Sequence, residues 1–418
     1  MEIKQDDLIY SINEDEETVK IVRCQKSNSE LIIPSSINHE SKKYYVVSIS
    51  QFAFIALDHI KSVKFAPDSK FQVIDKEIFS RTSIESISIP AHVTRICEES
   101  FIFCQQLRRI EIPKNSELQT IEKDAFHLTE IEMIFIPENL TNLEEGWCSA
   151  TPKLTAIEVD EKNPRYSYIE NQFLVGKSDL ENEDYDVLVF ARRDIIKATI
   201  PPFIKTIGPY AFDSCCFEID IPSNSKLQTI GHKAFCTSNI KKITISAQVT
   251  KICSSAFLNC KRLSMIEIPV NSKLQKIGKY AFSDTEIESI FIPESLTDLE
   301  EGWCSHTNKL TAIKVDEKNP RYSYIENQFL VGKSDLENED YDVLVFARRD
   351  IVKATIPPFI KTIGPYAFFN CNELQHIFIP QDSKLQTIGD DAFNSTGIQR
   401  IRIPAGVTQI GKYVFSFC

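Results

Sequence analysis

From Ile356 to Cys371 the chain reads I-P-P-F-I-K-T-I-G-P-Y-A-F-F-N-C, and the skeleton I-P-x-x-I/V-x-x-I-G-x-x-A-F-x-x-C returns throughout. Clear copies begin at Ile89, Ile245 and Ile403. The repeat aromatic sets a ruler: Phe54, Phe79, Phe101 and Phe126 are spaced by 25, 22 and 25 residues, and Phe368, Phe393 and Phe415 by 25 and 22. The three extra residues of the longer repeat fall just after I-P, at N-S-E-L from Asn115, N-S-K-L from Asn271 and D-S-K-L from Asp382. A period of about 20 to 30 residues with one short strand and a fixed apolar skeleton specifies a solenoid whose coils stack on their neighbours. At 418 residues the chain would otherwise suggest two or three globular domains. Stacked coils bury one continuous core and need not divide.

Most repeats carry a strand of the form I-x-I-P, as at Ile87/Ile89, Ile110/Ile112, Ile134/Ile136, Ile219/Ile221, Ile266/Ile268 and Ile401/Ile403. Period-two alternation turns both isoleucines inward and the residue between them outward, which predicts a parallel ribbon with an apolar inner side. A second inward row is Ile96, Ile121, Ile207, Ile252, Ile363 and Ile410, several followed by glycine where the backbone turns sharply or approaches a neighbour closely. The expected fold class is a β-rich leucine-rich-repeat solenoid with the ribbon on one face and short turns or 3-10 segments on the other.

Three stretches depart from the repeat. Residues 1–30 are expected to form a capping hairpin, with strands at Leu8–Ile12 and Thr18–Val22, before a solenoid over 31–418 that begins with a lengthened loop ahead of Ile49. In L-E-E-G-W-C, at Leu143 and again at Leu299, Trp147 takes the alanine slot and Cys148 the aromatic slot, a volume-conserving exchange; a functional Trp-Cys site is the alternative. Val159–Asp194 inserts a hairpin into a coil and recurs as Val315–Asp350. Lys153–Phe212 and Lys309–Phe368 differ only at Glu158/Lys314 and Ile196/Val352, so about 132–212 and 288–368 read as an internal duplication.

A net charge of −12 argues against nucleic acid or an anionic membrane as the main partner. No run of 18 apolar residues and no secretory start are seen, so membrane insertion is not expected. Cys104, Cys215, Cys260, Cys371 and Cys418 each follow the repeat aromatic by three residues, so they are repeat positions, and with most of the cysteines at least one coil apart they are too distant to pair. They are expected to be buried thiols. No catalytic, phosphate-binding or metal-ligating motif occurs and the seven histidines do not cluster, so neither enzyme nor cofactor nor metal is expected.

A binding surface needs only an extended, variable face. The residues between the strand isoleucines supply one: Glu111, Phe135, Glu158, Glu267, Phe291, Lys314, Phe378 and Arg402 vary in charge and shape while their inward neighbours barely change. Phe135, Phe291 and Phe378 stand out, because an aromatic on a solvated strand face is a common interface anchor. The competing reading is that these rings pack on one another or on nearby loops.

The skeleton I-P-x-x-V-T-x-I-G-x-x-A-F-x-x-C-x-x-L-x-x-I, with the inserted V-D-x-x-N-P-x-Y, resembles the BspA-like, Treponema-type leucine-rich repeats from about residue 30 onward. It is similar above all to the expanded sets of bacteria and of parasitic protists such as Trichomonas and Entamoeba. The chain departs from that pattern where Cys97 and Cys253 replace the repeat glycine. The resemblance implies a surface or secreted protein that adheres to host-cell, matrix or microbial proteins. An intracellular protein-binding scaffold of the same fold is the alternative, since no address is read in the sequence. The chain stops inside a repeat at Cys418, so either it is truncated there or that end is covered by another chain, self-association included.

Overall fold

The structure is a computed structural model describing residues 2–25, 29–51, 53–54 and 57–418; Met1 and 26–28, both within the expected cap, lie outside the described residues. All regular structure among the described residues is β-strand. The chain forms two compact units, Met1–Ile195 and Ile196–Cys418.

In the first unit the expected hairpin is present, as antiparallel strands Leu8–Asn13 and Thr18–Cys24, with Glu2–Gln5 added on its edge. The stretch expected as a lengthened loop is itself a hairpin, Ser36–His39 against Lys42–Ile49, and its second strand pairs in parallel with Thr18–Cys24. Tyr10, Val19, Ile21 and Val46 of this sheet join the core, which is how the cap covers the apolar flank of the first coil. The ribbon follows as parallel strands Glu30–Ile33, Ser62–Phe65, Ser86–Ser88, Arg109–Glu111, Met133–Ile136 and Ala156–Val159.

The second inward isoleucine row also pairs from coil to coil. Val73–Ile74, Arg95–Ile96, Thr120–Ile121 and Asn142–Leu143 form a second, two-residue-wide parallel ladder. In the second unit the same row runs Thr206–Ile207, Thr229–Ile230, Lys251–Ile252, Lys276–Ile277 and Asp298–Leu299. The ribbon there consists of the pairs Lys197–Thr199/Glu218–Asp220, Lys242–Thr244/Met265–Glu267, Ser289–Ile292/Ala312–Val315 and Lys353–Thr355/His376–Phe378.

Inside each unit the repeat phenylalanines stack. Phe54, Phe79, Phe101 and Phe126 lie 5.4, 5.2 and 5.3 Å apart by ring centroid. Phe212, Phe235, Phe257 and Phe282 lie 5.0, 5.0 and 5.3 Å apart. The Trp–Cys exchange keeps the interior filled: Trp303 meets Phe282 edge-on at 6.5 Å and Phe346 at 6.2 Å, and Trp303 and Cys304 are both buried. From Phe79 onward, two residues flanking each stacked phenylalanine hold a left-handed backbone, as at Ser255 and Asn259 around Phe257. These paired turns bend the chain around the ring.

Glycine after the inner isoleucine answers to close approach. A Cβ at Gly278 would lie 2.4 Å from the Ser254 backbone nitrogen of the preceding coil. The position three residues after the aromatic is a hydrogen-bonding column. Cys104 and Cys260 Sγ donate to the carbonyls of Phe79 and Phe235 one coil back, at 2.8 and 2.9 Å, and Thr307 does the same to Phe282 at 2.7 Å. Burial pushes the Cys104 thiol up to about 11 and the Cys260 thiol up to about 12, so both stay protonated donors. Cys418 and Ile410, both expected inside, are exposed, Ile410 by 52%. Both lie in the coil that begins at Ile403. Ile401–Ile403, expected as a strand, carries no regular structure.

The inserted segments are three-stranded antiparallel meanders: Tyr166–Ile169, Phe173–Gly176 and Val187–Ala191, and Tyr322–Ile325, Phe329–Gly332 and Val343–Ala347. The second is anchored by buried Asn319. Its Nδ2 donates to Pro293 O at 2.6 Å and Leu296 O at 2.9 Å, and its Oδ1 accepts from the Arg321 and Tyr322 amides at 2.9 and 2.7 Å. One side chain thus ties the start of the meander to the turn of the coil before it.

Candidate functional site

The alternation that buries the isoleucines leaves two outward columns on the ribbon, one between each isoleucine pair and one immediately before it. In the first unit Phe135 lies opposite Glu158, and the Arg109–Met133 register sets Glu111 beside Phe135. Glu111 is engaged within the face: Arg109 Nη2 lies 2.9 Å from it and Ser88 Oγ donates to it at 2.5 Å. Phe135 is half-buried and packs against the core, whereas Met133 in the second column is 52% exposed. With Arg108, Arg109, Glu111 and Glu158 these two side chains line a groove of about 550 Å³.

In the second unit Glu267 accepts from Lys242 Nζ at 2.7 Å and Thr244 Oγ1 at 2.6 Å, and those two bonds hold its carboxyl below the usual range. Phe291 is half-buried opposite exposed Lys314. Phe378 lies opposite Thr355 and is 61% exposed, and Arg402 is exposed in a stretch without regular structure. Met265, 49% exposed, occupies the second column. A groove of about 590 Å³ between Lys197, Glu218, Asp220, Lys242 and Thr244 is flanked by Phe217 and Arg262, the guanidinium 5.7 Å from the ring centroid.

The structure therefore brings Glu111, Phe135 and Glu158 together in one unit, and Phe291 with Lys314 in the other. Of the three rings, Phe378 is the one left mostly in water. The methionines were missed because the position before each isoleucine pair was not read as part of the face. Adaptable, unbranched Met at an exposed strand position was the available signal.

Among the described residues no group of three His, Cys, Asp or Glu side chains could hold a metal ion, and no helix is long and apolar enough to cross a membrane. A BspA type leucine rich repeat region model matches residues 28–161, 187–318 and 341–418, in six copies. No curated protein matches the chain. Among solved structures, the pneumococcal vaccine antigen PcpA is 15% identical, with 98% of this chain and 93% of that one covered at a TM-score of 0.57. A leucine rich cell surface protein from Faecalibacterium prausnitzii is 20% identical over 91% of this chain and 94% of its own, at a TM-score of 0.49. A leucine-rich repeat protein from Eubacterium ventriosum is 18% identical over 99% and 93%, at 0.48.

Proposed function

The chain belongs to the BspA-type leucine-rich-repeat family, and from that membership we propose that it is a non-enzymatic protein-binding protein whose outward ribbon columns meet the partner. The observation that carries this reading is Phe378, a large ring on a strand face with 61% of its surface in water. Such a ring contributes little to folding where it stands and much to an interface that covers it. Met133 and Met265 add deformable apolar surface in the adjoining column. An open face of this kind suits a protein better than a small molecule, which prefers a closed pocket. We further propose that the protein works at a cell surface as an adhesin, contacting host, matrix or microbial proteins. Support comes from the family resemblance and from the description of PcpA as a vaccine antigen. Finding the protein only after cells are permeabilised would instead favour an intracellular scaffold.

Binding of the labelled chain to a panel of matrix and cell-surface proteins tests the reading through Phe378→Ser. The variant is expected to lose about 1 kcal/mol or more of affinity, as truncated interface anchors do, with its melting temperature nearly unchanged. Normal binding together with a melt several degrees lower would make the ring a packing residue and sink the proposal.

A further inference from the structure

Beneath the meander of the second unit lies a cavity of about 170 Å³. Trp303, Tyr322, Val345, Phe346 and Tyr366 form its apolar and aromatic walls, and Arg321 and Arg349 both face it. Arg349 is 4% exposed and sits 4.3 Å from the centroid of the Phe346 ring. Its Nη1 donates to Ala367 O at 3.2 Å and reaches Cys371 Sγ at 3.7 Å. Its Nε is buried with no hydrogen-bond partner, and so is the Nε of Arg321. Among the described residues neither guanidinium forms an ion pair with a carboxylate.

A buried guanidinium lacking both a counter-ion and a full set of acceptors is costly, and folded chains pair such charges. The acids that line the same cavity do not serve. Glu300 is held by Lys276 and accepts the Lys279 amide at 2.7 Å, and Glu301 is held by Lys279. The cavity thus combines two guanidiniums, each with an unpartnered Nε, with aromatic walls and two carboxylates that are already engaged. Space is kept by glycine: a Cβ at Gly302 would lie 2.7 Å from the Tyr280 ring and 3.2 Å from that of Tyr366, whose hydroxyls bond to each other at 2.6 Å.

We propose that this cavity is a binding site for a small monocarboxylate with an aromatic or branched apolar body. A carboxylate matches the fork of a guanidinium in shape and charge. The body would lie against Trp303 and Phe346. Glu300 and Glu301 also line the cavity, which disfavours a ligand bringing a second negative charge and separates this class from phosphate.

Phenylacetate is the probe, with neutral phenylacetamide and inorganic phosphate as comparisons. Because the chain has two tryptophans, the full-length Trp147→Phe variant leaves Trp303 as the one indole reporting on the cavity. Phenylacetate is expected to shift its emission saturably, with phenylacetamide and phosphate binding at least roughly tenfold more weakly, the scale of a lost charge-assisted pair. Arg321→Gln, at a half-exposed position, is expected to weaken phenylacetate by a similar factor. Calorimetry on the unmodified chain repeats the three-ligand comparison without relying on any variant. No saturable phenylacetate binding, equal binding of phenylacetamide, or tighter binding of phosphate overturns the proposal.

Discussion

Replacing Phe257 by alanine is expected to cost about 3–5 kcal/mol of unfolding free energy, the range for deleting a fully buried phenyl group. The ring is stacked on Phe235 at 5.0 Å and on Phe282 at 5.3 Å, so its loss breaks the column on both sides. Coils touch only their neighbours, so the damage should be confined to the coils flanking residue 257. Urea unfolding followed by circular dichroism, with hydrogen exchange to localise the loss, checks this, with Phe257→Leu as a milder comparison that keeps most of the volume. A cost below about 1 kcal/mol for the alanine variant would mean that the ring column does not hold the coils together.

Asn319→Ala is expected to destabilise the second unit by roughly 3 kcal/mol or more, because four hydrogen-bonding groups lose their partner where water does not readily replace it. Those groups are the carbonyls of Pro293 and Leu296 and the amides of Arg321 and Tyr322. Asn319→Asp should recover only the two bonds made by Oδ1, since a carboxylate cannot donate to carbonyls. Hydrogen exchange localises the effect: the meander strand beginning at Tyr322 should lose protection before the stacked coils around Phe257. Unchanged protection there with a uniformly lowered melt would contradict the anchoring role.

The ring column could be read from sequence because a phenylalanine recurring at 22 and 25 residues leaves no other arrangement that buries all its copies. Trp147 and Cys148 could be read the same way, by their place on that ruler. What escaped was whatever depends on pairing between coils. Thr120–Ile121 is a strand of two residues whose only evidence is its neighbours at Arg95–Ile96 and Asn142–Leu143. The stretch before Ile49 looked like an expanded loop because its strand pairs with the cap instead of with the next coil. Glu111 and Glu267 read as available charges, but Arg109 and Lys242 already engage them. Arg349 carries no repeat or motif signal in the sequence; it follows Val343–Ala347, which pairs in parallel with Thr362–Ile363, and its side chain is buried. Phe135 and Phe291, equal to Phe378 in the sequence pattern, differ from it in burial.

On the proposed function, the ribbon, and not the turn side of the coils, meets a protein partner. Photo-crosslinking residues placed singly at 378 and 265 on the ribbon, and at exposed Tyr413 on the turn side, test it on the full chain in the presence of intact target cells. Positions 378 and 265 are expected to capture one and the same protein, and position 413 none. Capture from position 413, with neither ribbon position cross-linking, would contradict it.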